Sequence, residues 1–378
     1  MLIASLAASG CGFSSSAKPV DAHGIDTSHD APPDSPIDAA PDAPQQDFGA
    51  GVWTVHVPTL PTAGVTLTGP INTSVASPDC MTTATWADSS QPNACFIVGT
   101  TIDTSNTVVV RGSRPLVLVA TDAITIDKNI DVASHRSQLS GPGADWSGCG
   151  SPTDGANRTT GGGGGAGGTY ITTGGSGGAG DNGAGGAGLV TAVLTAPAIL
   201  HGGCPGSSGG TGASGSASAG ASGGGAIYVV AGHTITISMT GLINASGAGP
   251  VAGGHATGGG GAGSGGTIVL YAPAISVTGG TLMANGGGAG GGGDNNSNST
   301  QGNDAMIAMP LAQAPGGAGP SPATGGGGAG YSVMGSANPG MSGNTGEGGG
   351  GGGGGAGYIR SNVMLTGAIA SPAVDVVP

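Results

Sequence analysis

Charged side chains make up only 7% of the 378 residues, and aromatic ones only 3%. Soluble domains average about 25% charged residues, so an ordinary globular surface laced with ion pairs is excluded. The seven Lys and Arg stand against twenty Asp and Glu, for a net charge of −13. With no basic stripe to neutralise phosphates, no nucleic-acid partner is expected. No apolar run approaches the length of about 18 residues that a membrane-spanning helix needs. There is also no CxxC pair, no clustered histidine and no G-K-[ST] phosphate loop, so neither a metal nor a cofactor is expected.

Glycine is what the chain has in excess, with 86 residues, where about 7% is usual. No three-residue glycine period exists, which excludes collagen. The hydrophobic content of 37% is gathered into Val, Ile, Leu and Thr runs. That unevenness points to one β-rich core carrying glycine-rich excursions. Matches to G-x-S-x-G, such as Gly174–Gly178, carry no weight in so glycine-rich a chain. Neither this match nor Gly220–Gly224 follows a buried strand and precedes a helix. Asp181 and Asp294 arrive one residue early for calcium-binding GGxGxD repeats.

The core signal is a unit of three short apolar segments. It recurs as Leu116–Ala120, Ile124–Ile126 and Ile130–Val132, then as Ile227–Ala231, Ile235–Ile237 and Leu242–Ala245, then as Ile268–Ala272, Ile275–Val277 and Leu282–Ala284. Units therefore lie near 116–133, 226–246, 267–285 and 358–370. Leu189–Leu200 is a candidate degenerate copy. Three β-branched strands in about twenty residues match one coil of an irregular right-handed parallel β-helix, an all-β solenoid. A β-sandwich of antiparallel hairpins is the alternative. Ordering the glycines costs on the order of 1–2 kcal/mol each. The inserts therefore either stay mobile or pack as extended polyglycine-II-like strands bonded through their amides.

Ahead of the β-rich part, placed at 51–378, Leu2–Ala8 reads as the apolar core of a signal segment (1–10). The small residues before Cys11 resemble the bacterial lipoprotein processing box, which implies lipidation of Cys11 and a membrane as partner through that anchor. Residues 11–50 are rich in Pro, Asp and Ala and hold seven of the twenty acidic residues between Asp21 and Asp47. Such a stretch stays extended, and some thirty residues at about 3.1 Å each reach roughly 90–100 Å. Cys80, Cys95, Cys149 and Cys204 remain. An even number in an exported chain implies two disulfides among three possible pairings, Cys80–Cys95 with Cys149–Cys204 being the nearest in sequence.

The candidate catalytic residues are Asp127, Asp131 and Arg111, within a set that includes Arg114, Asp122 and Lys128. Carboxylates beside a cation on one outer sheet can abstract a proton or activate water. The competing reading places Asp127 and Asp131 as outward, solvated residues.

The Cys-terminated leader, the Asp/Pro stalk, LVLVATDAITIDKNIDVAS, LHGGCPGSSGG and the two later units together resemble glycine-rich predicted lipoproteins of the myxobacterial type. The resemblance implies an exported, surface-anchored β-rich protein without catalytic residues. The expected function is a non-enzymatic surface lipoprotein at the outer membrane or cell surface, structural or adhesive, with surface glycans or other surface proteins as partners. The alternatives are a secreted polysaccharide lyase or hydrolase, and a protein whose threonine face (Thr125, Thr234, Thr236) binds ice or a polymer surface.

Overall fold

The computed structural model describes residues 46–81, 83–212 and 216–377. Cys11, the signal segment 1–10 and residues 11–45 of the expected stalk lie outside the described residues. Residues 46–50, placed in the stalk from sequence, belong to the folded unit that begins at Gln45.

The chain begins with β1 (Asp47–Phe48), a 3-10 turn at Gly51–Trp53, β2 (Val55–His56), β3 (Val65–Leu67), β4 (Ile71–Asn72) and β5 (Thr85–Trp86). Longer strands follow: β6 (Cys95–Thr104), β7 (Val108–Arg111), β8 (Leu116–Ile126) and β9 (Asn129–Asp131). The second unit supplies β10 (Ala226–Ala231), β11 (Thr234–Ile237) and β12 (Leu242–Asn244). The third supplies β13 (Thr267–Tyr271), β14 (Ala274–Val277) and β15 (Thr281–Met283). The chain ends with β16 (Tyr358–Ser361), β17 (Ile369–Ser371) and β18 (Asp375–Val376).

These strands form three sheets. The small one, β1-β2-β5, is antiparallel. A nine-stranded sheet runs β14-β11-β8-β10-β13-β16-β18 and adds β6 beside β8 and β3 beside β6. A six-stranded sheet runs β17-β15-β12-β9-β7-β4. Strand pairing within both large sheets is parallel.

Equivalent residues of successive units pair directly. Ile227 lies between Leu116 and Ile268, and Ile235 between Ile124 and Ile275. Alternate residues Leu116, Leu118, Ala120, Ile124 and Ile126 enter a core shared with the six-stranded sheet, through Ile130, Ile243 and Leu282. Val117 and Val119 face the other way, into a second core with Phe48, Trp53, Val55 and Tyr228. Burial on both faces explains why LVLVA and AIYVVA are continuously apolar rather than alternating. Where only one face is covered, as in β11, Thr234 and Thr236 are exposed while Ile235 and Ile237 are buried.

The all-β class and the parallel strands are as expected, but the closed β-helix is not what forms, and neither is an antiparallel sandwich. The first and second segments of the earliest unit fuse into one strand, β8, whose register against β6 shifts between Gly99 and Thr101. Both segments of each later unit then join the same nine-stranded sheet, and only the third goes to the other large sheet. Two large sheets replace three solenoid faces. The expected copy at Leu189–Leu200 contains no strand. Leu200 instead plugs the second core, and Leu194 packs against Tyr170 beside Cys149 and Cys204.

The glycine inserts are a second packed body rather than solenoid corners. Residues 348–357 set the rule. Gly348, Gly351 and Gly354 donate to Gly293, Gly290 and Gly287, whereas Gly349, Gly352 and Gly355 donate to Gly162, Gly165 and Gly168. Gly350 and Gly353 donate to Met341 and Asn338. The donor direction rotates with a period of three residues, as in a polyproline-II-type helix, which has three residues per turn and no internal bonds. Residues 258–266 follow the same rule. Gly258, Gly261 and Ser264 bond to Gly210, Ser207 and Cys204, and Gly259, Ala262 and Gly265 bond to Gly349, Gly352 and Gly355.

Space, not backbone conformation, is what demands glycine here. Only eight described glycines take a left-handed φ. A methyl group added at Gly164, however, would overlap the carbonyl oxygen of Gly350, and one at Gly351 that of Gly260. Gly186 is different, because its nearest neighbour would be the Ala156 Cβ at 3.6 Å.

Two disulfides tie the parts together, Cys80–Cys95 and Cys149–Cys204, 15 and 55 residues apart in sequence. The second joins the segment leading into the glycine body to the segment at Cys204, beside buried Tyr170 and Tyr358. Such bonds are compatible with an exported chain. Among the described residues no helix is long and apolar enough to cross a membrane.

Two outcomes are expected in chemical denaturation. Gly164→Ala and Gly351→Ala each lose about 1–3 kcal/mol through overpacking against immovable backbone, while Gly186→Ala is neutral or gains about 0.4–1 kcal/mol. Equal stability of all three variants would contradict the close-packed body. Replacing Cys149 and Cys204 by Ser lowers stability by about 4 kcal/mol, against about 3 kcal/mol for Cys80 and Cys95, as loop lengths dictate.

Candidate functional site

Arg111 and Asp131, two of the candidate catalytic residues, do meet. Arg111 ends β7 and Asp131 ends β9, which are adjacent strands of the six-stranded sheet. The Arg111 Nη2 lies 3.3 Å from the Asp131 Oδ2. Nη1 donates to the backbone oxygen of Asp131 at 3.1 Å. On the other side of Asp131, the paired residue of β12 is Asn244, whose amide donates to Oδ1 at 3.1 Å. The backbone N–H of Ala133 donates to the same oxygen at 3.2 Å.

The cluster is completed by His135. Its Nε2 lies 2.9 Å from the Asp131 Oδ2, and its Nδ1 lies 3.4 Å from the Asp304 Oδ2. Asp304 belongs to the last large insert and also accepts from the backbone N–H groups of Arg136 and Gly249. The Arg136 guanidinium reaches the carbonyl of Gly302. One imidazolium thus bridges two carboxylates, and the cluster fastens the insert to the sheet.

Burial alone would raise the Asp131 carboxyl, but the His135 hydrogen bond and the charges of His135 and Arg111 hold it below the usual carboxylate range. Asp304 behaves alike: burial pushes it up, and the His135 hydrogen bond with two backbone N–H groups brings it below the ordinary value. His135 is pushed up to about 9 by its hydrogen bonds to Asp131 and Asp304 against the opposing effect of burial.

This arrangement corrects the sequence reading in two ways. Asp131 is 7% exposed, not outward and solvated, because the insert around Asp304 covers the face that alternation left open. Its oxygens are also fully engaged, which removes it as a free acid or base. Asp127 does sit exposed in the turn between β8 and β9. There its N–H and that of Lys128 donate to the Thr104 hydroxyl. Arg114 is bound to three carbonyls, those of Thr73, Ala94 and Ser74. Asp122 pairs with His233 at 2.7 Å on the surface. Among the described residues, no group of three or more His, Cys, Asp or Glu is arranged to hold a metal ion.

The threonines of the third expectation lie on the open face of the nine-stranded sheet. Thr66, Asp103, Thr125, Thr236 and Ser276 form one row across β3, β6, β8, β11 and β14. Asp103 interrupts that row. Thr234 sits between Ala123 and Ala274. The face is small and polar but not a uniform threonine array.

Two clefts escaped the sequence reading. One, of about 520 Å³, is lined by Met81, Thr85, Trp86, Asp88 and Asn93 of the loop closed by Cys80–Cys95, and by Phe96. Its Trp86 is backed by Tyr228, rings nearly parallel at 16° and 5.9 Å apart, with Phe96 at its edge. The other, of about 580 Å³, is lined by Trp146, Ser147, Cys149, Ser151, Asp154 and Ser208. Trp146 stacks on His201 at 4.0 Å and 20°. Burial holds that imidazole below its usual range, against the bond to the Gly202 carbonyl. The available signal was weak: Trp86 falls between Cys80 and Cys95, and Trp146 shortly precedes Cys149.

The ion cluster has a predicted pH signature. The His135 pKa is raised on folding, so its contribution is complete below about pH 6.5 and lost as pH rises through about 9. The depressed carboxylates contribute above their unfolded pKa and lose that contribution in acid. Thermal stability should therefore decline between pH 7 and 10, and this decline should be smaller in His135→Gln. Asp304→Asn should move the His135 titration, followed by NMR, toward 6.5. An unchanged titration would contradict the bridge.

No family model, no curated protein and no solved structure matches this chain.

Proposed function

We propose that the protein is a non-enzymatic lipoprotein, anchored through Cys11 at the outer membrane or cell surface, with a structural or adhesive role. The observation that carries this reading is the commitment of Asp131 and Arg111. Asp131, Arg111 and His135 are spent on one another and on Asp304. Asp127 is left alone on the surface.

Other features support the same reading. The bulk of the chain outside the sheets is a glycine body whose amides are used internally, a rigid block with almost no side chains for chemistry. Its disulfides suit an oxidising exterior. The resemblance of the leader to a lipoprotein box supplies the anchor, and the acidic stalk supplies distance from the membrane.

Metabolic labelling with palmitate tests the anchor. Label should enter the wild-type chain and be lost in Cys11→Ala, which should move to the soluble exported fraction. Identical labelling and fractionation of the two would overturn the anchoring. Protease shaving of intact cells should remove the folded part, and a deletion strain should attach less well to surfaces or to neighbouring cells. Unaltered attachment and surface properties would contradict the role.

A further inference from the structure

The two tryptophan clefts share a construction that packing alone does not require. Trp53, the third tryptophan, is 3% exposed and sits wholly in the second core. Trp86 and Trp146 are instead half-buried. Tyr228 lies nearly parallel to Trp86 and His201 nearly parallel to Trp146, whose six-membered ring also meets Gly148. Trp86 lies within the loop closed by Cys80–Cys95, and Cys149 of the other disulfide lines the cleft of Trp146. In a chain with 3% aromatic residues, two such rings in two open clefts call for a ligand with a flat apolar face.

The rims say what else that ligand carries. Around Trp86 stand the Thr85 and Ser89 hydroxyls, the exposed Asn93 amide and the Asp88 carboxylate. Around Trp146 stand Ser147, Ser151, Ser208 and the Asp154 carboxylate. Arg114 lines the first cleft but its guanidinium is held by three carbonyls. The second cleft is lined by no Lys or Arg. A ring that stacks on indole while its hydroxyls meet amide, hydroxyl and carboxylate groups is a sugar, and a site carrying carboxylates without a free cation disfavours an acidic one. The volumes, about 520 and 580 Å³, fall within the usual range for small-ligand sites, about 300–1,000 Å³.

We propose that the Trp86 and Trp146 clefts bind neutral oligosaccharide, each indole stacking on a sugar ring and the rim polar groups bonding its hydroxyls. This deepens the adhesive reading and rests on it. Two sites on one rigid chain engage a glycan-coated surface with an effective concentration that neither has alone.

The test uses the full chain. Cellohexaose, xylohexaose, mannohexaose and N-acetylchitohexaose are titrated while tryptophan fluorescence and heat are followed. At least one should bind saturably with a change in fluorescence. Asn93→Ala should weaken the first site about tenfold, and Trp146→Ala should remove the second. Trp86→Ala removes a ring packed on Tyr228 and Phe96, so Trp86→Phe, which loses only the bond to the Pro92 carbonyl and part of that packing, accompanies it and should stay folded with partial affinity. Absence of binding to all four sugars overturns the inference, as does undiminished binding by a folded Trp86→Phe/Asn93→Ala/Trp146→Ala chain. Failure here is separable from failure of the adhesive role. A wild-type strain that adheres although the protein binds none of these sugars leaves that role standing. Sugar binding by a chain that is not displayed removes the role but not the sites.

Discussion

The structure depends on backbone amides meeting backbone carbonyls at a distance that leaves no room for a Cβ. In residues 348–355 each N–H points to one of three neighbouring segments in rotation. A segment of this kind cannot be stable alone, since the polyproline-II-type conformation has no internal bonds. Each hydrogen bond is worth about 0.5–1.5 kcal/mol net, and fixing a glycine costs about 1–2 kcal/mol. The glycine body therefore depends on being held at its edges. The β-sheets, the Cys149–Cys204 bond and the Asp131–His135–Asp304 bridge are where it is held.

That dependence runs both ways. The inserts leave the β-part after each unit and return to start the next, so folding of the sheets brings the glycine segments side by side. In return, the glycine body and its neighbouring loops cover faces of the sheets that would otherwise be wet. Asp131 shows the consequence most clearly. In the row Val109–Asp131–Asn244–Met283–Ser371 across the six-stranded sheet, polar residues are buried because a distant insert closes over them.

Much of the β-part was legible in the sequence. The apolar triplets lie where strands form, and Ile227, Ile235 and Ile275 pair with the equivalents that spacing suggests. Fusion of Leu116–Ala120 with Ile124–Ile126 was not legible, because Thr121 and Asp122 look like turn residues. They stay within one strand because β6 lies alongside, its pairing passing from Gly99–Ala120 to Thr101–Ala123. The three-residue bonding of the inserts cannot be read from composition, which fits mobile linkers equally well. The fate of Asp131 was hidden for the same reason: His135 is local, but Asn244 and Asp304 arrive from far along the chain. The tryptophan clefts left only a weak signal, Trp86 between Cys80 and Cys95 and Trp146 shortly before Cys149.

The central claim is that the glycine segments form a packed core bonded through its amides, and amide hydrogen exchange tests it most directly. Amides in residues 258–266 and 348–357 should exchange as slowly as those of β8 and β10, opening only with global unfolding. Exchange of those glycine amides at the rate of free chain, while β8 and β10 stay protected, would contradict the account.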